Sequence, residues 1–107
     1  MTRLVALASA LALATLSALP AAAQTYGVRF QNVSGTTVYS IRTSPTHDSY
    51  WSDDYLYENV LVPGAGLNIT FQNVSNCYYD VEIVFTDGSG YTDTWDICSY
   101  SQYNIGY

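Results

Sequence analysis

Residues 77–98 read CYYDVEIVFTDGSGYTDTWDIC, two runs of alternating side chains on either side of Asp87-Gly88-Ser89-Gly90. Successive side chains of a strand point to opposite faces, so the first run has one apolar face and one face that carries Asp80 and Glu82. Two such runs around a glycine-containing turn predict a β-hairpin. This hairpin is the best-defined unit of the chain.

Two registers of the hairpin compete. In the first, a three-residue loop from Asp87 to Ser89 pairs Val81 with Trp95 and sets apolar side chains opposite one another, with Asp93 as the misfit on that face. A two-residue Asp-Gly turn would instead set Cys77 opposite Cys98, while the apolar faces slip out of match. We favour the first register, which needs a bulge or a strand end near Cys98 to bring the sulfurs together.

The rest of residues 24–107 shows the same pattern, with short runs rich in Val, Ile, Thr, Tyr and Phe between turn signals. That spacing predicts an all-β fold, a single small antiparallel β-sandwich of about seven strands. The predicted strands are 26–32, 37–43, 57–62, 67–72, 77–86, 91–98 and 101–106. The pentapeptide FQNVS at residues 30–34 recurs at 71–75, each time before a strand, which indicates two similar strand-turn-strand corners.

The first residues, Met1–Ala23, have the pattern of a cleavable secretion signal. Arg3 precedes the apolar run Leu4–Leu19, and Ala21-Ala22-Ala23 is the small-residue pattern that signal peptidase cuts after. The mature domain, residues 24–107, would begin at Gln24. An apolar run this short, without a stop-transfer segment, predicts no stable membrane insertion after cleavage and a secreted or periplasmic location.

The two cysteines are predicted to form a disulfide. Removing 23 of the 107 residues leaves 84, a size at which the hydrophobic core is small and a covalent link helps. An even number of cysteines in an exported chain favours pairing of Cys77 with Cys98 over a metal or redox site. A metal or redox site is disfavoured because the two cysteines do not have C-x-x-C spacing.

The charge of the mature domain excludes two classes of partner. Arg29 and Arg42 stand against nine carboxylates, which gives a net charge of −7. Nucleic acids and anionic membranes require Lys and Arg, so neither is an expected partner. A protein or glycan partner remains.

Three carboxylates are candidate metal ligands. In the favoured register Asp80 faces Asp96 with Glu82 beside them, and like charges directly opposite are destabilising unless something neutralises them. Ca²⁺ prefers clustered carboxylate oxygens. No EF-hand pattern is present, and dispersed solvated charge is the competing interpretation. We expect no cofactor, with Ca²⁺ as the alternative.

The densest aromatic stretch, residues 50–57, is a candidate ligand platform. Tyr50, Trp51, Tyr55 and Tyr57 offer apolar faces for stacking, and the neighbouring carboxylates accept hydrogen bonds from hydroxyl groups. In the competing interpretation Trp51, Leu56 and Tyr55 close one end of the core.

One further constellation invites a catalytic hypothesis. His47 lies beside Asp48 and near two serines, but a triad is defined by geometry and not by adjacency in sequence, and no G-x-S-x-G is present. A small hydrolase is therefore the weaker hypothesis, and we expect no enzyme. Three Asn-x-Ser/Thr sequons, at Asn32, Asn68 and Asn73, matter only in a host that glycosylates, and the Ala-rich signal resembles a bacterial one.

Several short motifs follow one another in a recognisable order: Asn32, Ser44-Pro45, Trp51 with Asp54-Tyr55-Leu56, Val60-Leu61-Val62-Pro63-Gly64, Cys77-Tyr78-Tyr79-Asp80, Asp87-Gly88 and Cys98. Over nearly the whole mature chain they resemble a family of small exported bacterial proteins that sometimes carry the names Tat pathway signal protein or argininosuccinate lyase. This chain departs from both names, because Arg3 is not part of a twin-arginine pair and no acid, base or anion-binding cluster suits a lyase. The resemblance implies a disulfide-bonded export domain and supplies no activity, so the expected function is non-catalytic binding.

Overall fold

The structure is a computed structural model that describes residues 24–106, so the predicted signal Met1–Ala23 lies outside the described residues. Within that range the chain forms six strands: β1 (Gln24–Asn32), β2 (Val38–Pro45), β3 (Gly66–Val74), β4 (Tyr78–Phe85), β5 (Gly90–Asp96) and β6 (Gln102–Ile105). They form two three-stranded sheets, in the orders β3-β1-β6 and β2-β4-β5. No helix among these residues is long and apolar enough to cross a membrane.

Apolar side chains from both sheets form one hydrophobic core. Its buried members are Val28, Phe30, Val38, Ile41, Leu56, Leu61, Ile69, Phe71, Val74, Val81, Ile83, Ile97, Tyr103 and Ile105. Aromatic contacts connect the two sheets, since the rings of Phe71 and Tyr79 lie 5.0 Å apart and those of Trp95 and Tyr103 lie 4.8 Å apart. Edge-to-face pairs of this kind add about 0.5–1.5 kcal/mol beyond the area that they bury.

The all-β prediction is confirmed, but the seven antiparallel strands are not. Residues 57–62 were expected to form a strand and instead contribute a turn followed by a single bridge between Leu61 and Val38. Tyr57 has a positive φ of 56°, which the extended conformation of a strand does not allow. In addition, β6 pairs with β1 in parallel.

The FQNVS repeat marks both places where the chain leaves the first sheet for the second, between β1 and β2 and between β3 and β4. The first copy is the more elaborate corner. The buried Asn32 amide donates to the carbonyls of Thr36 and Leu61, both at 2.9 Å, and its Oδ1 accepts from the backbone N–H of Ser34 at 3.0 Å. Because the polar atoms of this buried amide are hydrogen-bonded to the backbone on both sides, they hold the corner in this conformation.

The β4–β5 hairpin forms with the predicted faces but with a different register. Tyr79 pairs with Trp95 and Asp80 with Thr94, two residues away from the expected pairing. A shift of two residues keeps every side chain on its face, since side chains alternate with a period of two.

The physical reason for that shift is Gly88. The N–H of Gly88 donates to Phe85 O at 3.0 Å, and the N–H of Phe85 donates to Ser89 O at 2.8 Å, so the three-residue loop is 86–88. Such loops require a left-handed residue at their third position. Gly88 supplies it with φ 88°, whereas the predicted loop would have placed Ser89 there.

The predicted disulfide is confirmed. Cys77 and Cys98 are bonded with a Cα–Cα distance of 5.3 Å. Strand β5 ends at Asp96, and the N–H of Ile97 still donates to Cys77 O at 2.9 Å. Cys98 therefore lies just beyond a strand end, the position from which its sulfur reaches that of Cys77.

Candidate functional site

The connection between β2 and β3 lies along the free edge of β2. We call residues 50–61 the edge segment. The N–H of Ser52 donates to Thr43 O at 2.8 Å, and its hydroxyl oxygen accepts from the N–H of Thr43 at 3.0 Å. Further along, Leu61 and Val38 exchange two backbone hydrogen bonds of 2.9 and 3.0 Å. The edge segment thus satisfies backbone groups that an exposed edge strand would leave open.

Asp54 is the central anchor of the edge segment. Its Oδ1 accepts from the N–H of Ile41 at 3.0 Å and from the N–H of Leu56 at 2.9 Å. The N–H of Tyr55 donates to Ile41 O at 2.9 Å. A carboxylate oxygen therefore replaces the carbonyl of a regular ladder, and the backbone on both sides of it is held in place.

The predicted platform is divided by this anchoring. Three rings lie at the surface: Tyr50 is 80% exposed, Trp51 42% and Tyr57 78%. Tyr55 instead turns inward, where its hydroxyl hydrogen-bonds that of Thr43 at 2.8 Å and its ring packs against the core. Leu56 is buried. The competing interpretation therefore holds for Tyr55 and Leu56, which close part of the core, while Trp51 is partly covered and keeps 42% of its surface exposed.

The backbone of Tyr57 is strained. It adopts φ 56°, and its N–H donates to Asp54 O at 3.0 Å in a tight turn. A bulky residue in the left-handed region costs about 1–2 kcal/mol relative to glycine, and such strain concentrates at functional positions. Nothing in the core requires the Tyr57 ring, because it faces solvent.

The three predicted metal ligands each have a separate partner. Asp80 Oδ1 accepts from the hydroxyl of Thr94 at 3.0 Å, and Glu82 Oε1 lies 3.9 Å from Arg42 Nη1. The expected pairing of Asp80 with Asp96 is wrong, since the observed register places Tyr78 opposite Asp96.

Asp96 caps the turn that follows β5. It accepts from the hydroxyl of Ser99 at 2.7 Å and from the N–H of Cys98 at 3.0 Å. The hydrogen bond from the Ser99 hydroxyl lowers the pKa of Asp96. The backbone N–H groups of Cys98 and Ser99 lower it further. Among residues 24–106, one trio of potential ligands converges within 4.8 Å, namely Cys77, Asp96 and Cys98. Its sulfurs are joined to each other, so they present no thiolates to a metal.

His47 lies on an exposed turn. Its Nδ1 is 2.9 Å from the Asn76 amide nitrogen, and its Nε2 is 3.6 Å from Asp48 Oδ1. Asn76 also donates to Thr46 Oγ1 at 3.1 Å, so it connects this turn to the start of β4. In the part of the chain that the structure describes, no cavity is found beside this turn or elsewhere.

A tyrosine network that the sequence did not predict connects β5 to β6. The hydroxyl oxygen of Tyr103 lies 3.1 Å from both Tyr91 Oη and Asp93 Oδ2, and its single proton is donated to one of them at a time. Burial, followed by the contacts with Tyr91 and Asp93, strongly raises the pKa of Tyr103. The position of Asp93 on an otherwise apolar face of β5 was the available signal, because this misfit is a place on that face where a polar contact with the facing sheet could form.

Comparison of the chain with protein-family models, with curated proteins and with solved structures found no match.

Proposed function

We propose that residues 24–107 are an exported, non-catalytic binding domain that holds a neutral polysaccharide on the rings of Tyr50, Trp51 and Tyr57. The observation that carries this proposal is their exposure on an anchored backbone. Large aromatic rings contribute most when they are presented in a fixed geometry, because little conformational entropy is then lost on binding.

The charge of the edge segment limits the chemical class of ligand that it can bind. Asp53 and Glu58 are exposed beside the rings, and the segment contains no cation. Anionic polymers are disfavoured there. Sugar rings present C–H faces that stack on aromatic side chains and hydroxyls that donate to carboxylates, which suits a site of a few apolar surfaces with placed acceptors.

Two features support export. The sequence Met1–Ala23 has the three-part pattern of a secretion signal, and the Cys77–Cys98 disulfide belongs to an oxidising compartment. The resemblance to small exported bacterial proteins agrees with this location.

The test is retention of the protein on insoluble cellulose, chitin and starch, with an anionic polysaccharide for comparison. Burying the exposed 42% of Trp51 removes about 100 Å² from water, which is worth about 2 kcal/mol. Trp51→Ala is therefore expected to weaken retention about 30-fold. Tyr39→Ala is the matched control, since Tyr39 is 59% exposed but lies outside the edge segment.

A second variant separates binding from folding. Tyr57→Gly relieves the left-handed backbone and is expected to stabilise the fold by about 0.5–1 kcal/mol while it weakens retention. Equal retention of wild type, Trp51→Ala and Tyr57→Gly, or retention by none of them on any neutral polysaccharide, would refute the glycan proposal. If the domain instead captures a protein partner, and Trp51→Ala abolishes that capture, then the same surface binds a protein and not a glycan.

A further inference from the structure

We infer that the mature chain closes its own N-terminus, with Gln24 cyclising to pyroglutamate and the hydroxyl of Tyr26 assisting the reaction. The inference rests on the proposed export, because cleavage after Ala23 is what gives Gln24 a free α-amine. Neither the binding surface nor the disulfide is involved.

The reaction needs no co-reactant. The α-amine nitrogen of Gln24 attacks its own side-chain carbonyl carbon, Cδ, and forms the N–Cδ bond of a five-membered lactam. The Cδ–Nε2 bond then breaks, a proton passes from the α-amine to the leaving nitrogen, and one ammonia departs. No oxidation or reduction occurs.

The structure places a donor where the charge of this reaction develops. As the amine attacks, negative charge grows on Oε1 of Gln24, and a hydrogen-bond donor aimed at that atom lowers the barrier. The hydroxyl of Tyr26 donates to that oxygen at 2.5 Å. Residues two apart in a strand share a face, which explains why Tyr26 reaches Gln24.

The surroundings of Gln24 allow the reaction to proceed. Gln24 is exposed at the beginning of β1, so the amine is free to lose its proton to water and ammonia can leave. Gln24 pairs with Val74, but the β1–β3 register is irregular between Gln24 and Tyr26, so the uninterrupted ladder begins only at Tyr26. The ring therefore closes at a strand end, where a small backbone adjustment disturbs few contacts.

Cyclisation changes the charge of the domain. A free α-ammonium would be a third strong cation beside Arg29 and Arg42, and the lactam is neutral. The lactam also removes the free amine that aminopeptidases recognise, which protects β1 from trimming outside the cytoplasm.

The experiment expresses the full chain with its own signal in a bacterial host and measures the intact mass and the N-terminal fragments of the exported protein, at isolation and during incubation at neutral pH. The expected product begins at residue 24 and lacks one ammonia. Gln24→Glu, which has a poorer leaving group, should keep its free amine over the same period. Tyr26→Phe keeps the ring and is expected to cyclise about 2- to 10-fold more slowly, the rate equivalent of one hydrogen bond.

The outcomes distinguish this inference from the proposed function. A chain that begins at Gln24 and retains its amine throughout would overturn the inference and leave export intact. A chain that is not cleaved, or that begins elsewhere, would overturn the inference together with the cleavage site. Equal rates for wild type and Tyr26→Phe would overturn the role of Tyr26.

Discussion

Replacing Asp54 by alanine should destabilise the domain strongly, although the residue belongs to a surface connection. The change removes the acceptor for two backbone N–H groups, those of Ile41 and Leu56, and both residues are buried. Each unsatisfied donor costs about 1–3 kcal/mol, and partial access of water brings the expected sum to about 2–4 kcal/mol. The total stability of a domain this size is about 4–12 kcal/mol, so the loss is a large fraction of it.

Urea unfolding followed by tryptophan fluorescence measures this loss, and thermal unfolding should show a Tm lower by about 10–25 °C. Asp54→Asn keeps an Oδ1 acceptor and loses only the charge, so it should cost about 1–2 kcal/mol. Asp53→Ala removes a neighbouring exposed carboxylate and should stay within about 0.5 kcal/mol of wild type. If Asp54→Ala is no less stable than Asp53→Ala, the Asp54 carboxylate does not hold the edge segment to β2.

Three other perturbations test separate parts of the fold. The double variant Cys77→Ser, Cys98→Ser removes a link across 21 residues and should lower the free energy of unfolding by about 3 kcal/mol. Urea unfolding measures this loss, and the β circular dichroism should be retained at low temperature. An unchanged urea midpoint would contradict the prediction. The pKa of Asp96 is lowered in the folded protein, so its contribution to stability is present above about pH 4 and is lost as the pH falls. Asp96→Asn should therefore flatten the acid limb of a plot of Tm against pH, and an equally steep limb in the variant would count against the Asp96 contacts. Millimolar Ca²⁺ should leave Tm unchanged, because the predicted ligands have separate partners, whereas a saturable rise would reveal a Ca²⁺ site by mass action.

The sequence predicted the faces of the hairpin better than its register. Alternation alone assigns Val81 and Ile83 to the core, and both are buried. The register depended on which residue occupies the left-handed position of the loop, and placing the loop one residue too late moved every cross-strand pair by two. The predicted carboxylate pair disappeared with that shift, because it depended on one particular pairing.

The edge segment was harder to predict for a different reason. Its hydrogen bonds to β2 use the side chains of Ser52 and Asp54 in place of regular backbone pairing, and such bonds have no periodic signature in sequence. The strand expected at 57–62 was predicted from its β-branched residues, but the turn at Tyr57 interrupts it and only Leu61 pairs. The aromatic residues were recognisable from composition, whereas the division between the inward Tyr55 and the outward Trp51 required the tertiary structure.

Two exposed rings flank the anchors of the edge segment, and this connects folding to the proposed binding. Ser52 and Asp54 hold the backbone to β2, while Trp51 and Tyr57 lie on either side of them and face solvent. The backbone that carries the rings therefore cannot move without releasing the edge of β2, and an exposed edge strand is a template for aggregation. The same hydrogen bonds that protect the sheet thus fix the backbone positions from which the rings project, so weakening an anchor should reduce binding even though no ring has been changed.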